Sequence, residues 1–294
     1  MFHKLLKRRT PVRAPESPRV PAGVVVWAIG DIHGRDDLLE PIVDAIRADL
    51  QTMDDDRKIV VFLGDYVDRG PGSRAVLKFL AGLPADDGVE WRFLKGNHEE
   101  TMAKFLRDPS VGAQWCEYGG DATLRSYGLR PPDMRHRAEA WRHLSSDLNH
   151  KLGAEERDFL ANLEMRVAVG DYFFAHAGAR PGEPLESQAD EDLLWIRGSF
   201  LRSEQEFEKV VVHGHTPTAE VHADRRRIGI DTRAYESGVL TALRLRGHER
   251  RILQAVAPQA MPDADAPGSE VRPHAVALRW ADIPAIADLR LDTA

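Results

Sequence analysis

Val24-Val25-Val26-Trp27-Ala28-Ile29 is an unbroken apolar run that stops at Gly30-Asp31. Such a run predicts a strand buried on both faces. Leu38, Leu39, Ile42, Val43, Ile46 and Leu50 then recur at three- and four-residue spacing, the mark of an amphipathic helix. The plan repeats. Ile59 to Leu63 runs into Gly64-Asp65 and is followed by a helix through Ala75 to Leu80, and Val89 to Leu94 runs into Gly96-Asn97-His98. Strands alternating with helices predict an α/β fold. Residues 99 to about 163 carry no strand signal and read as a helical insertion. Strands are predicted again at Arg166–Val169, Tyr172–Phe174 and Lys209–Val212. Ile228–Ile230, Val239–Leu245 and Arg251–Val256 read as a meander with Arg246–Arg250 as its last turn. Val276 to Leu291 has some apolar content and no assigned element.

Polar residues fall at the ends of these runs. Asp31 and His33 follow the first strand, Asp65 and Asp68 the second, and Asn97 and His98 the third. His176 follows a later strand, and His213 and His215 another. Ligands bind outside the carboxyl ends of strands in α/β sheets, so five runs deliver carboxylate, imidazole and amide to one rim. Asp, His and Asn without thiolate suit Mn²⁺, Fe or Zn²⁺. Six such ligands exceed what one ion takes from protein. Two ions about 3.5–4 Å apart, sharing a carboxylate, would clamp an in-line phosphoryl displacement.

Composition narrows the picture. The 294 residues hold 40 Lys+Arg and 47 Asp+Glu, a net charge of −7, which argues against a general or sequence-specific nucleic-acid binder. No apolar run approaches the ~20 residues that span a bilayer, so no transmembrane segment is expected. The one cysteine, Cys116, excludes a disulfide within the chain and a thiolate metal cage. With no apolar leader at the N-terminus, a cytoplasmic location is expected. Residues 1–23 hold six Lys and Arg against Glu16 alone, with four prolines interspersed, and read as a disordered basic arm. Residues 24–256 read as the catalytic domain. Residues 257–294, Pro/Ala/Asp-rich at first, read as a linker and tail of unassigned role.

Gly30-Asp31-Ile32-His33-Gly34, Gly64-Asp65-Tyr66-Val67-Asp68-Arg69-Gly70, Gly96-Asn97-His98-Glu99, His176-Ala177-Gly178 and Gly214-His215-Thr216-Pro217 resemble the signature blocks of the calcineurin-like metallophosphoesterases. The Asp-Tyr-Val-Asp-Arg-Gly block narrows the resemblance to the PPP phosphoprotein phosphatases and their bacterial relatives, among them phage lambda phosphatase and diadenosine tetraphosphatase. Gly119-Gly120-Asp121-Ala122-Thr123-Leu124, Pro184 to Gln188 and Leu193-Leu194-Trp195-Ile196-Arg197 are similar to stretches of the bacterial members. The resemblance runs from about residue 25 to 246. It implies an α/β/β/α architecture: two mixed sheets packed as a sandwich and flanked by helices.

It also implies roles. Asp31 and His33 would hold one metal, Asp65 would bridge both, and Asn97, His176 and His215 would hold the second. A bridging water would be the nucleophile. His98 would protonate the leaving alkoxide, with Asp68 fixing and polarising it. Arg69 and Arg197 would grip the phosphate oxygens, which guanidinium matches in geometry and charge. His213 lies two residues before His215, so on a strand both would share a face. Either can be the ligand; the resemblance favours His215, leaving His213 behind the ligands or facing substrate. Family members usually carry glycine where Arg233 stands, so this arginine would need room and would occupy a turn with φ above zero, or add a cation near the cleft. Tyr235 resembles a tyrosine at the cleft edge.

The expected activity is metal-dependent hydrolysis of phosphomonoesters, foremost on phosphoserine and phosphothreonine of proteins, with two divalent ions, manganese foremost and iron or zinc possible in its place. The expected partner is a phosphoprotein or a small phosphorylated substrate. The alternatives are hydrolysis of diadenosine tetraphosphate and a broad-specificity phosphoesterase. A non-catalytic scaffold fits poorly, because buried carboxylates without a cation are costly.

Overall fold

The computed structural model describes residues 15–132, 138–258 and 276–283. Eleven strands and ten α-helices are assigned among them. In chain order the first half comprises β1 (Val24–Ile29), α1 (Asp36–Gln51), β2 (Arg57–Phe62), α2 (Ser73–Ala81), β3 (Val89–Phe93), α3 (Asn97–Arg107), α4 (Gly112–Glu117), α5 (Gly120–Ser126), α6 (Ala138–Lys151) and α7 (Ala154–Ala161). The second half comprises β4 (Val167–Val169), β5 (Tyr172–Phe174), α8 (Asp190–Trp195), α9 (Gly198–Leu201), β6 (Val210–His213), β7 (His222–Ala223), β8 (Arg227–Gly229), α10 (Ala234–Ser237), β9 (Val239–Arg246), β10 (Glu249–Val256) and β11 (Ala277–Asp282).

The strands form two mixed sheets, ordered β11-β10-β9-β1-β2-β3 and β4-β5-β6-β8-β7. In the first, β1, β2 and β3 run parallel and β9 to β11 antiparallel. Alternation along β1 divides the core. Val26 and Ala28 join Val61, Leu63, Tyr172, Phe174, Val210 and Val212 between the sheets. Val25, Trp27 and Ile29 face the other way, onto Leu38, Leu39, Ile42, Val43 and Ile46 of α1. A third cluster, with Phe173 and Val211, packs the outer face of the second sheet against Leu193, Ile196 and Phe200. Layers of helix, sheet, sheet and helix result, the architecture the resemblance implies. α1 opens with Asp36 and Asp37 in its first turn, where carboxylates complement the helix dipole. Gly30, which ends β1, has no room for a side chain: a Cβ there would lie 2.5 Å from the Ile230 carbonyl oxygen.

Three expectations change. The meander does not form: β8 belongs to the second sheet and β9 to the first, with α10 between them. Short apolar runs carry no information about which sheet they join. The strands β9 and β10 do pair as a hairpin, but they run on through Arg246 and from Glu249, so the turn is only Gly247-His248. The expected disordered arm of 1–23 is ordered from residue 15. Pro18 and Val20 are buried, Val20 packs between the sheets, and its N–H donates to the Gly247 carbonyl at 3.0 Å. Burying such a side chain is worth about 1.5–3 kcal/mol, which outweighs the local proline and charge content. Residues 1–14 lie outside the described residues.

The unassigned C-terminal stretch holds β11, which extends the first sheet beyond β10. From it Trp280 crosses the sheet face, 4.8 Å from the Arg251 guanidinium and 5.6 Å between ring centroids from Trp27. No described helix is long and apolar enough to cross a membrane.

Candidate metal centre and active site

β1, β2, β5 and β6 end on the same edge, together with the start of α3. Parallel pairing of β1 with β2 and of β5 with β6 makes this edge, and it gathers Asp31, His33, Asp65, Asn97, His98, His176 and His215. All seven are buried. His33, Asp65 and His98 bring ligand atoms within 4.8 Å of one another, and so do Asp65, His176 and His215. Asp65 is common to both groups. Its Oδ2 lies 3.4 Å from His33 Nε2 and its Oδ1 3.4 Å from His176 Nε2.

Backbone carbonyls orient the imidazoles. His33 Nδ1 donates to Val67 O and His176 Nδ1 to Leu63 O, both at 2.9 Å. Each Nε2 is thereby left with its lone pair turned into the site. The Asn97 side-chain oxygen lies 2.9 Å from His176 Nε2 and 2.8 Å from His215 Nδ1. Asp31 Oδ2 accepts the His215 N–H at 2.9 Å. Burial holds His33 near pKa 3 and His215 near 2, so both imidazoles are neutral. Burial, with Asp231 and Asp65 nearby, raises Asp31 well above the usual carboxylate range.

These residues fit metal ions. Asp31 Oδ1 and His33 Nε2 are buried without a hydrogen-bond partner, and buried polar atoms left in that state are costly. Neutral imidazoles and crowded carboxylates form a donor set that a divalent cation completes. Asp31, His33 and Asp65 would hold one ion, and Asp65, Asn97, His176 and His215 a second.

Backbone conformation marks the same residues. Among the described residues six non-glycines have positive φ: His33, Asp65, Asp68, Arg69, His215 and Arg233. A left-handed residue with a Cβ costs about 1–2 kcal/mol, and such positions cluster where function holds them. Glu99 holds one of these turns. Its buried carboxylate accepts the N–H groups of Asp65, Tyr66, Val67 and Gly96 at 2.8–3.2 Å. Burial, followed by Asp65, raises its pKa to about 7.

His98 and Asp68 form a pair beside the metal ligands. His98 Nδ1 donates to Asp68 Oδ2 at 2.7 Å, and His98 Nε2 lies 3.8 Å from Asp65 Oδ2. Burial pushes the His98 pKa down, but the Asp65 and Asp68 carboxylates outweigh it and raise it. Arg69 and Arg197 flank the centre. The Arg69 guanidinium lies 4.7 Å from the centroid of the Tyr235 ring, which meets the His33 ring edge to face at 5.3 Å. Arg197 Nε donates to His215 Nε2 at 2.9 Å.

The remaining sequence candidates divide. His213 and His215 do not share a face, because β6 ends at His213 and His215 turns with φ +60°. His213 Nδ1 donates to Gly214 O, its Nε2 meets Arg227 Nη1 at 3.2 Å, and its ring packs on Phe200. It stands outside both ligand groups. Arg233 has φ +57°. Its side chain lies 3.8 Å from the Glu236 carboxylate. Trp195, two residues before Arg197, is 45% exposed and sets its ring against His215. Neither motif nor spacing assigns a role to Glu99, Trp115, Thr123 or Asp231. The glycine three residues before Glu99 was the one local signal, since a carboxylate at the third helical position reaches back to the N–H before the helix.

A family model described as calcineurin-like phosphoesterase matches residues 24–249. The chain is 26% identical over 235 residues to bis(5'-nucleosyl)-tetraphosphatase PrpE [asymmetrical] of Bacillus subtilis, covering 74% of this chain and 88% of that protein. It is 29% identical over 237 residues to serine/threonine-protein phosphatase 1 of Salmonella typhimurium, covering 75% and 91%. A cold-active protein-tyrosine phosphatase of a psychrophile Shewanella species shares the fold, with TM-score 0.50, 18% identity and coverage of 83% and 82%. That family model covers most of the chain, and this chain belongs to the calcineurin-like phosphoesterases.

Proposed function

We infer that the protein hydrolyses phosphate monoesters of serine and threonine side chains in proteins, with two divalent ions, manganese foremost, in the centre described above. The observation that carries this reading is the His98–Asp68 pair facing Asp65. A serine or threonine alkoxide is a poor leaving group and needs a proton as the P–O bond breaks, and a positioned imidazole supplies it. When bound, the ions supply charge that offsets the phosphate and lowers the pKa of a water molecule. His98 Nε2–H gives its proton to the ester oxygen, and Asp68 stabilises the charged imidazole. Arg69 and Arg197 bind the phosphate oxygens, where charge builds in the transition state. The products are inorganic phosphate and the free hydroxyl.

A second reading, hydrolysis of a dinucleoside polyphosphate, is favoured by exposed rings beside the two arginines. Trp195 lies two residues before Arg197. Tyr118, 56% exposed, precedes Gly119, whose carbonyl accepts the Arg69 N–H at 3.1 Å. Flat exposed rings suit stacking on bases. Product analysis of the metal-loaded protein on a phosphothreonine peptide and on diadenosine tetraphosphate, side by side, decides. The first reading expects the larger kcat/KM on the peptide. A larger value on the dinucleotide overturns it in favour of the second.

A further inference from the structure

We propose that Trp115 and Thr123, both from the helical insertion, are positioning residues that lock Asp68 and through it aim His98. Asp68 is fully buried, and each of its carboxylate oxygens is held from the insertion. Trp115 Nε1–H donates to Oδ2 at 2.8 Å, on the same oxygen that receives His98 Nδ1–H. The Thr123 hydroxyl donates to Oδ1 at 2.6 Å and accepts the Asp68 backbone N–H at 2.9 Å. That N–H also reaches Ser73 Oγ at 3.0 Å. One hydroxyl thus ties both ends of a residue whose backbone sits at φ +73°. Thr123, Ser73 and Trp115 are all fully buried.

Three side-chain donors on one buried carboxylate remove its rotational freedom, so Oδ2 presents its remaining lone pair to His98 Nδ1 in one direction only. Nε2 of His98 then faces Asp65 Oδ2. The double glycine before Thr123 allows this arrangement. Gly119 has φ +104°, and a Cβ on Gly120 would lie 2.4 Å from the Trp115 ring. α5 can therefore pack directly on the ring whose N–H holds Asp68. The block Gly119 to Thr123 acquires a physical role: it closes the insertion over the acid pair.

This inference rests on His98 as the general acid, and the test separates the two. Thr123→Val keeps shape and removes the hydroxyl, Thr123→Ser restores it, and Trp115→Phe keeps the ring and removes its N–H. Each variant is assayed on an alkyl phosphate and on p-nitrophenyl phosphate, whose leaving group needs no proton, with His98→Asn as reference. Metal content is measured in each. Loss of a group that orients an imidazole typically costs about 10–100-fold. Thr123→Val is expected to lose that much kcat on the alkyl ester, to lose far less on the aryl ester, and to keep its metal. Thr123→Ser is expected to recover, and Trp115→Phe to shift the ratio in the same direction. The low-field Nδ1–H proton signal of His98 in the metal-free protein, assigned by its absence in His98→Asn, should fade in Thr123→Val and return in Thr123→Ser. If Thr123→Val does not fold, Trp115→Phe carries the same measurements. Equal losses on both esters, or no loss, while His98→Asn still discriminates between them, would overturn the clamp. If His98→Asn fails to discriminate, the acid reading itself falls.

Discussion

The carboxylate of Glu99 accepts the backbone N–H of Asp65, the shared metal ligand, at 2.9 Å. The helix that presents Asn97 and His98 therefore also shapes the left-handed turn that presents Asp65. Glu99→Gln puts an amide donor where four N–H groups converge, and a buried unmatched donor costs about 1–3 kcal/mol. The expected result is weaker binding of both ions, read as lower metal content after dialysis against a dilute chelator. Unchanged content would show that the turn holds without Glu99.

Metal removal should abolish activity, and added divalent ion should restore it. Asp65→Asn removes the negative charge at the shared position and is expected to lower the occupancy of both ions, whereas His33→Ala should lower mainly one. Elemental analysis of the two variants distinguishes them. One ion lost in each would argue against Asp65 as the bridge.

His98→Asn should retain its metal and lose about 10²–10⁴ in kcat on alkyl phosphates, the usual worth of a general acid. The loss should shrink on p-nitrophenyl phosphate. Steady-state kinetics on the two esters checks this, and an equal loss on both would remove His98 from that role.

Arg197→Ala should raise both KM and the inhibition constant of free phosphate by about tenfold or more, as expected for a lost charge-assisted hydrogen bond. Metal content should change little. Parallel phosphate-inhibition curves for variant and parent provide the check, and superimposable curves would take Arg197 out of phosphate binding.

Asp224 supplies a pH signature away from the centre. Burial disfavours its charge, but the hydrogen bonds from His222 and from the N–H groups of Arg226 and Arg227 prevail and hold its pKa well below the ordinary 3.8. A depressed carboxylate stabilises the fold above its unfolded pKa, and that contribution is lost as pH falls toward the folded value. The site is partly open to solvent, so the effect is about 1 kcal/mol after screening. Asp224→Asn should therefore be less stable than the parent at pH 7, and the gap should narrow below pH 3.8. Urea unfolding of both metal-free proteins across that range measures it. A constant gap would count against the ion-paired carboxylate.

Strand and helix positions were legible because hydrophobic periodicity is a local property. The runs at Val24–Ile29 and Ile59–Leu63 could be read in isolation, and their polar ends were ligand candidates because α/β topology places strand ends on one edge. The proline-rich stretch before Val24 misled for the same reason: its composition is local, but the burial of Val20 between the sheets is not.

By itself the sequence determined the alternation of strand and helix in the first half, the polar residues that follow the strands, and the family, because each rests on a pattern or motif of a few consecutive residues. Only the tertiary structure decided which contacts those residues make. Glu99 on Asp65, Trp115 and Thr123 on Asp68, and Arg197 on His215 join positions 18 to 55 residues apart. No periodicity relates such pairs. The choice between His213 and His215 as neighbours of Asn97 turned on one left-handed residue at the end of β6, and a backbone angle of that kind is set by the packing around it, not by the residues beside it in the chain.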